Sequence, residues 1–270
     1  MNPFAEIYDR PEVVAEYLGA LLEQPEVRLM REIVRRPQTL AMLDLGVGAG
    51  RTTGFFAPFA RRYLGIDLAP RMVATCRERY GSWPVCEFRV GDAAALDDLA
   101  DATFDIVLFS FNGIDCLSPQ RRDVCLRAVR RVLRPGGVFL FSTHNLQMID
   151  SYYVSPPAGS EAAWVPTPER RAKIAHFNDP PANYASREWA LFWDGVYGDD
   201  EGELRHVYIR PRHQLAQLHA AGFAGVRALS TITGEELSLE QLDDVRDLSV
   251  AFWCEARSGN GRTCTGAASG

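Results

Sequence analysis

The run Leu43-Asp44-Leu45-Gly46-Val47-Gly48-Ala49-Gly50 sets three alternating glycines behind an acid at the end of an apolar stretch. Glycine enters left-handed backbone without steric cost, so the chain here turns tightly and a ligand can approach the main chain. The dinucleotide fingerprint G-x-G-x-x-G needs glycine at position 51, where Arg51 stands. Two further acids close the next apolar runs, Asp67 in Gly65-Ile66-Asp67-Leu68 and Asp92 in Val90-Gly91-Asp92-Ala93. Asp67 falls about 20 residues after the glycines, the separation at which an acid meets ribose hydroxyls. Each has a plainer alternative: a helix N-cap before Pro70 for Asp67, a loop cap for Asp92.

Together with Phe104-Asp105-Ile106-Val107 and Leu133-Arg134-Pro135-Gly136-Gly137, these motifs resemble those of class I S-adenosylmethionine-dependent methyltransferases from roughly Leu40 to Thr143. The resemblance implies S-adenosylmethionine as cofactor and S-adenosylhomocysteine as its product. It assigns Gly46, Gly48 and Gly50 to the methionine and ribose portions, and Asp44 to organising the loop or meeting the ammonium group through water. Asp67, with Leu68 beside it, takes the ribose. Asp92 and Ala93 take the adenine edge, and Met72 packs on the adenine ring or is simply a core methionine. Ser110 and Phe111 join the cofactor site at the end of the fourth strand. Tyr8 and Tyr17 resemble lid aromatics that close over the cofactor.

Methyl transfer of this kind rests mainly on proximity and orientation, with a base needed only where the acceptor loses a proton early. The expected acceptor wall is Ser110-Phe111-Asn112-Gly113-Ile114-Asp115. An N-P-P-Y type motif, a Pro-Cys nucleophile and a double-glutamate loop are all missing, which points away from macromolecular substrates to a small-molecule acceptor. His144, after the fifth strand, is the first candidate base, with a structural histidine as its alternative. Asn112 would orient an acceptor amine or hydroxyl; Asp115 and His176 are further candidate bases. Nine aromatics between Ser151 and Tyr197 (among them Trp164, Trp189 and Trp193) would form a cap suited to an aromatic or cationic acceptor, or a small core of the cap itself. Two other functions compete: a cofactor-binding partner protein without catalysis, and a nicotinamide-dependent oxidoreductase, against which Arg51 speaks.

The elements that must position these residues read as follows. Helices are expected from Pro11 to Leu22 and from Pro25 to Arg36, with proline suited to the first turn. Strands at Leu40–Leu45, Arg62–Ile66, Val85–Val90, Phe104–Ser110 and Val138–Thr143 alternate with helices at Arg51–Phe59, Pro70–Tyr80 and Ser118–Leu133. That alternation predicts an α/β fold, a doubly wound Rossmann-like and mostly parallel sheet. The period is lost from Leu146 to about Ser186. Arg187–Tyr197 and Glu203–Arg210 read as an antiparallel pair, with Trp189, Leu191 and Trp193 on one face. A helix at Pro211–Ala221 and strands at Phe223–Leu229 and Ser249–Arg257 complete the sheet. The expected organisation is a helical lid (1–36), a core (37–145 and 211–257), an inserted antiparallel cap (146–210) and a disordered tail (258–270).

The 270 residues are 47% hydrophobic and 24% charged, with a net charge of -6, which suits a soluble globular protein and not a general nucleic-acid binder. The abundant arginines, Arg51 and Arg122 included, read as solvated helix faces. The first ten residues lack a signal-peptide pattern and no apolar run is long enough to span a bilayer. The expectation is therefore cytoplasmic, with no membrane partner; a homodimer is left open. Six scattered cysteines with no C-x-x-C pair predict reduced thiols and no metal site. The resembled family is common in bacterial secondary metabolism, and the Arg/Ala-rich composition would suit a high-GC genome, both by association only.

Overall fold

The computed structural model describes residues 3–19, 21–35, 39–153, 166–195 and 202–257. Three short helices come first: α1 (Pro3–Tyr8), α2 (Pro11–Leu18) and α3 (Gln24–Ile33). Strand β1 (Leu40–Leu45) runs through the glycine turn into α4 (Thr53–Phe56) and β2 (Ala60–Asp67). Next are α5 (Pro70–Tyr80), β3 (Cys86–Val90), β4 (Phe104–Phe109), α6 (Pro119–Val132) and β5 (Leu133–Asn145). The insertion holds α7 (Ile149–Tyr153), α8 (Pro168–Phe177), β6 (Trp189–Phe192) and β7 (His206–Ile209). The chain closes with α9 (Pro211–Ala220), β8 (Phe223–Ser230), β9 (Glu236–Leu237), α10 (Gln241–Asp244) and β10 (Ser249–Ala256).

The main sheet has the order β3-β2-β1-β4-β5-β10-β8-β9. From β3 to β5 every pairing is parallel, whereas β10 runs antiparallel to both β5 and β8. Parallel strands covered on both faces are apolar throughout, and all six residues of β1 are buried. Their side chains alternate between layers. Ala41, Leu43 and Leu45 pack with Leu126 and Val129 of α6, while Leu40 and Met42 meet Leu29 and Ile33 of α3 and Val73 of α5.

The cap strand β7 has a specific place. At His144, β10 already occupies one edge of β5, pairing Ser249 with His144. On the other edge, β4 stops pairing at Phe141. A strand has two edges, so β7, which pairs Tyr208 with His144 and Ile209 with Asn145, takes the β4 side of β5 just past the end of β4. The insertion is thereby anchored over the cleft at the carboxyl ends of the parallel strands.

Several expectations need correction. The helix expected over Arg51–Phe59 is one turn of α4 followed by a 3-10 turn at Ala57–Phe59, because Pro58 cannot donate the hydrogen bond that would continue it. Trp189 and Leu191 are exposed, and Ala190 and Phe192 face inward instead; Trp193, beyond the strand end, is buried. Helix α8 lies where no period was read, since Ile174 is its one buried residue, and α1 is an additional helix of six residues. Arg51 and Arg122 are buried, not solvated. Trp164, Tyr197, the turn from Gly198 and the tail from Ser258 lie outside the described residues. Among the described residues no helix is long and apolar enough to cross a membrane.

Candidate cofactor and acceptor site

The glycine turn closes in left-handed backbone, with φ of 60° at Gly46, 56° at Gly48 and 81° at Gly50. At Gly46 a Cβ would stand 2.9 Å from the Phe109 ring, and at Gly48 one would stand 3.3 Å from the Tyr17 ring. At Gly50 it would meet Tyr80 at 2.7 Å. Gly46 and Gly48 therefore face the cleft, while Gly50 packs the turn onto α5 and does not line the cleft; its expected place beside a ligand is corrected. Asp44 is likewise turned inward. Its buried carboxylate accepts from the hydroxyls of Thr52 and Tyr63. Burial raises it to about 6, against the pull of those hydroxyls. These bonds tie the end of β1 to Thr52 and to Tyr63 of β2.

A cavity of about 770 Å³, its open mouth included, lies along the carboxyl ends of β1, β2, β3 and β4. Gly46, Gly48, Asp67, Leu68, Met72, Asp92, Ala93, Ser110, Phe111 and Tyr17 all line it, so ten of the residues read from the sequence converge on one space. Asp67 is fixed by the turn: Gly48 N–H donates to Oδ2 at 2.8 Å and Ala69 N–H to Oδ1 at 2.9 Å. Burial raises its pKa, while the N–H groups of Ala69, Gly48 and Leu68 pull it down. Each oxygen keeps a lone pair for a ligand. Asp92 accepts from the Arg121 guanidinium and, at 2.9 Å, from Ala94 N–H. Met72 is buried on α5 and also lines the cavity.

Phe4 and Tyr8 of α1 and Tyr17 of α2 close the cavity from above, with Phe109 and Phe111 opposite. Tyr8 and Tyr17 meet edge to face at 6.0 Å, and Tyr17 meets Phe111 at 5.8 Å. Among the described residues the aromatic surroundings come from here and not from the insertion. Tyr152, Tyr184, Phe192, Trp193 and Tyr208 form a separate core within the cap, and none of them lines the cavity. Phe4, Cys116 and Leu117 are lining residues that the sequence reading missed. A six-residue helix carries too little period to mark Phe4, and Cys116 belongs to no motif.

The residues expected to act on the acceptor come together, but behind the cavity wall. Asp115 is buried and its carboxylate accepts from Arg122 at 2.5 Å, Thr143 Oγ1 at 2.5 Å and His144 N–H at 2.7 Å. Burial opposes its charge, yet Arg122, His144 and Thr143 more than offset that and hold the carboxyl below its ordinary value. An engaged carboxylate of this kind is a positioning group, which corrects its reading as a base. His144 Nδ1 lies 2.8 Å from Asp115 Oδ2, and its ring stacks on Tyr208 at 4.6 Å. Its Nε2 lies 3.3 Å from the Asn112 amide, which donates to Ser249 Oγ at 2.8 Å. None of the three lines the cavity. His176 is exposed on α8 and does not line it either. Beside this cluster, buried His206 places Nδ1 2.9 Å from Asp194 Oδ2 and packs against Phe4 at 5.0 Å.

Residues 43–141 match a family described as a methyltransferase domain. A chain of Mycolicibacterium smegmatis described as a probable S-adenosylmethionine-dependent methyltransferase is 42% identical over 106 residues, 38% of each chain. The matched stretch spans 38% of the length of that relative, and likewise 38% of an arsenite methyltransferase of Aquipseudomonas alcaligenes that is 34% identical over 145 residues. Among solved structures, an S-adenosylmethionine-dependent methyltransferase from Mesorhizobium loti superposes with a TM-score of 0.59 at 20% identity, over 88% of this chain and 99% of that one. The 1,6-didemethyltoxoflavin-N1-methyltransferase of Burkholderia thailandensis, solved with 1,6-didemethyltoxoflavin and S-adenosylhomocysteine, gives 0.52 at 17% identity, over 87% and 77%. These likenesses show the fold.

Proposed function

We propose that this chain moves a methyl group from S-adenosylmethionine to N, O or C of a small molecule, a reading supported by the match of residues 43–141 to a methyltransferase domain family. The observation that carries this reading is Asp67, whose two oxygens are held by the glycine turn and by the start of α5 and open onto the cavity. Gly46 and Gly48 also border the cavity, where a Cβ would press on the Phe109 and Tyr17 rings that line it. Asp67 would hold the ribose, Asp92 and Ala93 the adenine edge, and Met72 and Leu68 its faces. Gly46 and Gly48 would admit the amino-acid portion beneath Tyr17.

When bound, S-adenosylmethionine supplies an already electrophilic sulfonium methyl. The chain's own part is then to orient and to exclude water, and the aromatic lid of Phe4, Tyr8 and Tyr17 suits both. Ser110 and Phe111 border the region where an acceptor would meet the methyl group. The His144–Asp115 pair, one layer behind, holds β4 and β5 in register there. His144 serves as a base only for an acceptor that displaces Asn112 from Nε2.

Isothermal calorimetry with S-adenosylhomocysteine tests the placement. Asp67→Ala removes a charged hydrogen-bond acceptor and should weaken binding by roughly 10- to 100-fold; unchanged affinity would defeat the ribose site. A mass-spectrometric screen with trideuteromethyl-labelled cofactor tests turnover. Binding without labelled product on any acceptor favours a non-catalytic cofactor-binding protein.

A further inference from the structure

Phe111 and Asn112, neither of them glycine, hold consecutive left-handed φ values of 54° and 61°. Such backbone is strained in residues with side chains and persists where the surroundings impose it. Here they do. Asn112 N–H donates to Ser142 Oγ at 3.0 Å, its amide to Ser249 Oγ at 2.8 Å, and Gly113 N–H to the Ser110 carbonyl at 3.3 Å. The effect is to turn an apolar ring out of the core, 42% exposed, onto the cavity wall.

One face of that ring is covered by Arg51, whose guanidinium carbon lies 4.9 Å from the ring centroid. The guanidinium is immobilised. It donates to both oxygens of Glu26 at 2.7 and 2.5 Å, to the Leu21 carbonyl at 2.8 Å and to Ser110 Oγ at 3.0 Å. A cation on a ring draws on the negative potential of its π face. A second cation on the opposite face would share that potential and feel the first charge across the ring. A neutral arene stacks in offset fashion without this conflict.

We propose that Phe111 is the acceptor platform of the site and that, backed by Arg51, it selects a flat, neutral, electron-rich aromatic acceptor over a cationic one. This rests on the methyltransferase reading, and the two are tested separately. S-adenosylhomocysteine binding is measured first by calorimetry, and its failure in the wild-type chain would overturn the methyltransferase reading itself. In protein saturated with that product, 2-naphthol and N-methylquinolinium, two bicyclic probes of similar size, are titrated by ligand-observed NMR. Binding of 2-naphthol is expected to be roughly tenfold tighter than that of N-methylquinolinium. With the protein held saturated by S-adenosylhomocysteine, Phe111→Leu should weaken 2-naphthol by roughly tenfold, and Phe111→Tyr should retain the preference. The proposal is overturned by absent binding of 2-naphthol or by equal or tighter binding of N-methylquinolinium. It is equally overturned by a Phe111→Leu variant that, saturated with S-adenosylhomocysteine, binds 2-naphthol as the wild type does.

Discussion

Asp115 and Arg122 show how much a single buried charge depends on its partner. Both side chains are almost completely excluded from solvent, and Arg122 also donates to Gln214 Oε1 at 2.5 Å and Thr143 Oγ1 at 3.2 Å. Removing one member of such a pair strands the other in a medium that cannot solvate it. Asp115→Asn is therefore expected to cost about 3–5 kcal/mol of stability in urea unfolding, and replacing both residues by apolar ones of similar volume should recover most of it. A loss below about 1 kcal/mol for Asp115→Asn would mean that water reaches the pair. At this scale the sequence was partly legible. Asp67 and Asp92 stood out by position after apolar runs, whereas Asp115 looked like a cleft acid because nothing in its neighbours announces an arginine seven residues on and one helical layer away.

Strand β6 carries the same lesson for an element. Alternation shows that Trp189 and Leu191 share a face, but not which face is buried. The strand pairs only with β7, and the cap core formed by Tyr152, Tyr184 and Tyr208 gathers Ala190 and Phe192. Phe192→Ala should then cost about 3–5 kcal/mol, while Leu191→Ala, 42% exposed, should stay within about 0.5 kcal/mol. Thermal unfolding of the two variants decides the register, and equal losses would contradict it. The helices α5 and α6 were legible because each has proline in its first turn and a buried stripe long enough to show its period. Helix α8 has one buried residue and shows none.

For the whole molecule, stability should respond to pH through groups that only folding brings together. Glu23 is raised to about 7, first by burial and then by Glu26 beside it. A carboxyl raised on folding withholds stability as pH climbs from its unfolded value to its folded one, so Glu23 acts below about pH 7. His206 acts above that. Burial disfavours its charge, but the Asp194 carboxylate 2.9 Å away overcomes this and raises its pKa well above the ordinary value. Its contribution is complete below its unfolded pKa and is lost as pH rises through the folded one. Urea unfolding between pH 7 and 9 should show falling stability in the wild type and a flatter profile in His206→Gln. Parallel profiles would assign the loss to other groups.

The apolar runs, the glycine turn and the acids that follow β2 and β3 were determined by sequence alone, because each depends on local backbone chemistry and on spacing along one chain. They were enough for the parallel sheet and for the glycines and acids that line the cavity. Three things were decided only in three dimensions. Arg51 and Arg122 became buried clamps, Tyr152, Tyr184, Phe192, Trp193 and Tyr208 of the insertion formed a core of their own, and His144, expected to face the cleft, came to rest behind the cavity wall. The reason is common to all three: burial and charge pairing depend on which distant surfaces meet, and the last strand pairings, β7 beside β5 and Ser249 beside His144, decide that for this chain.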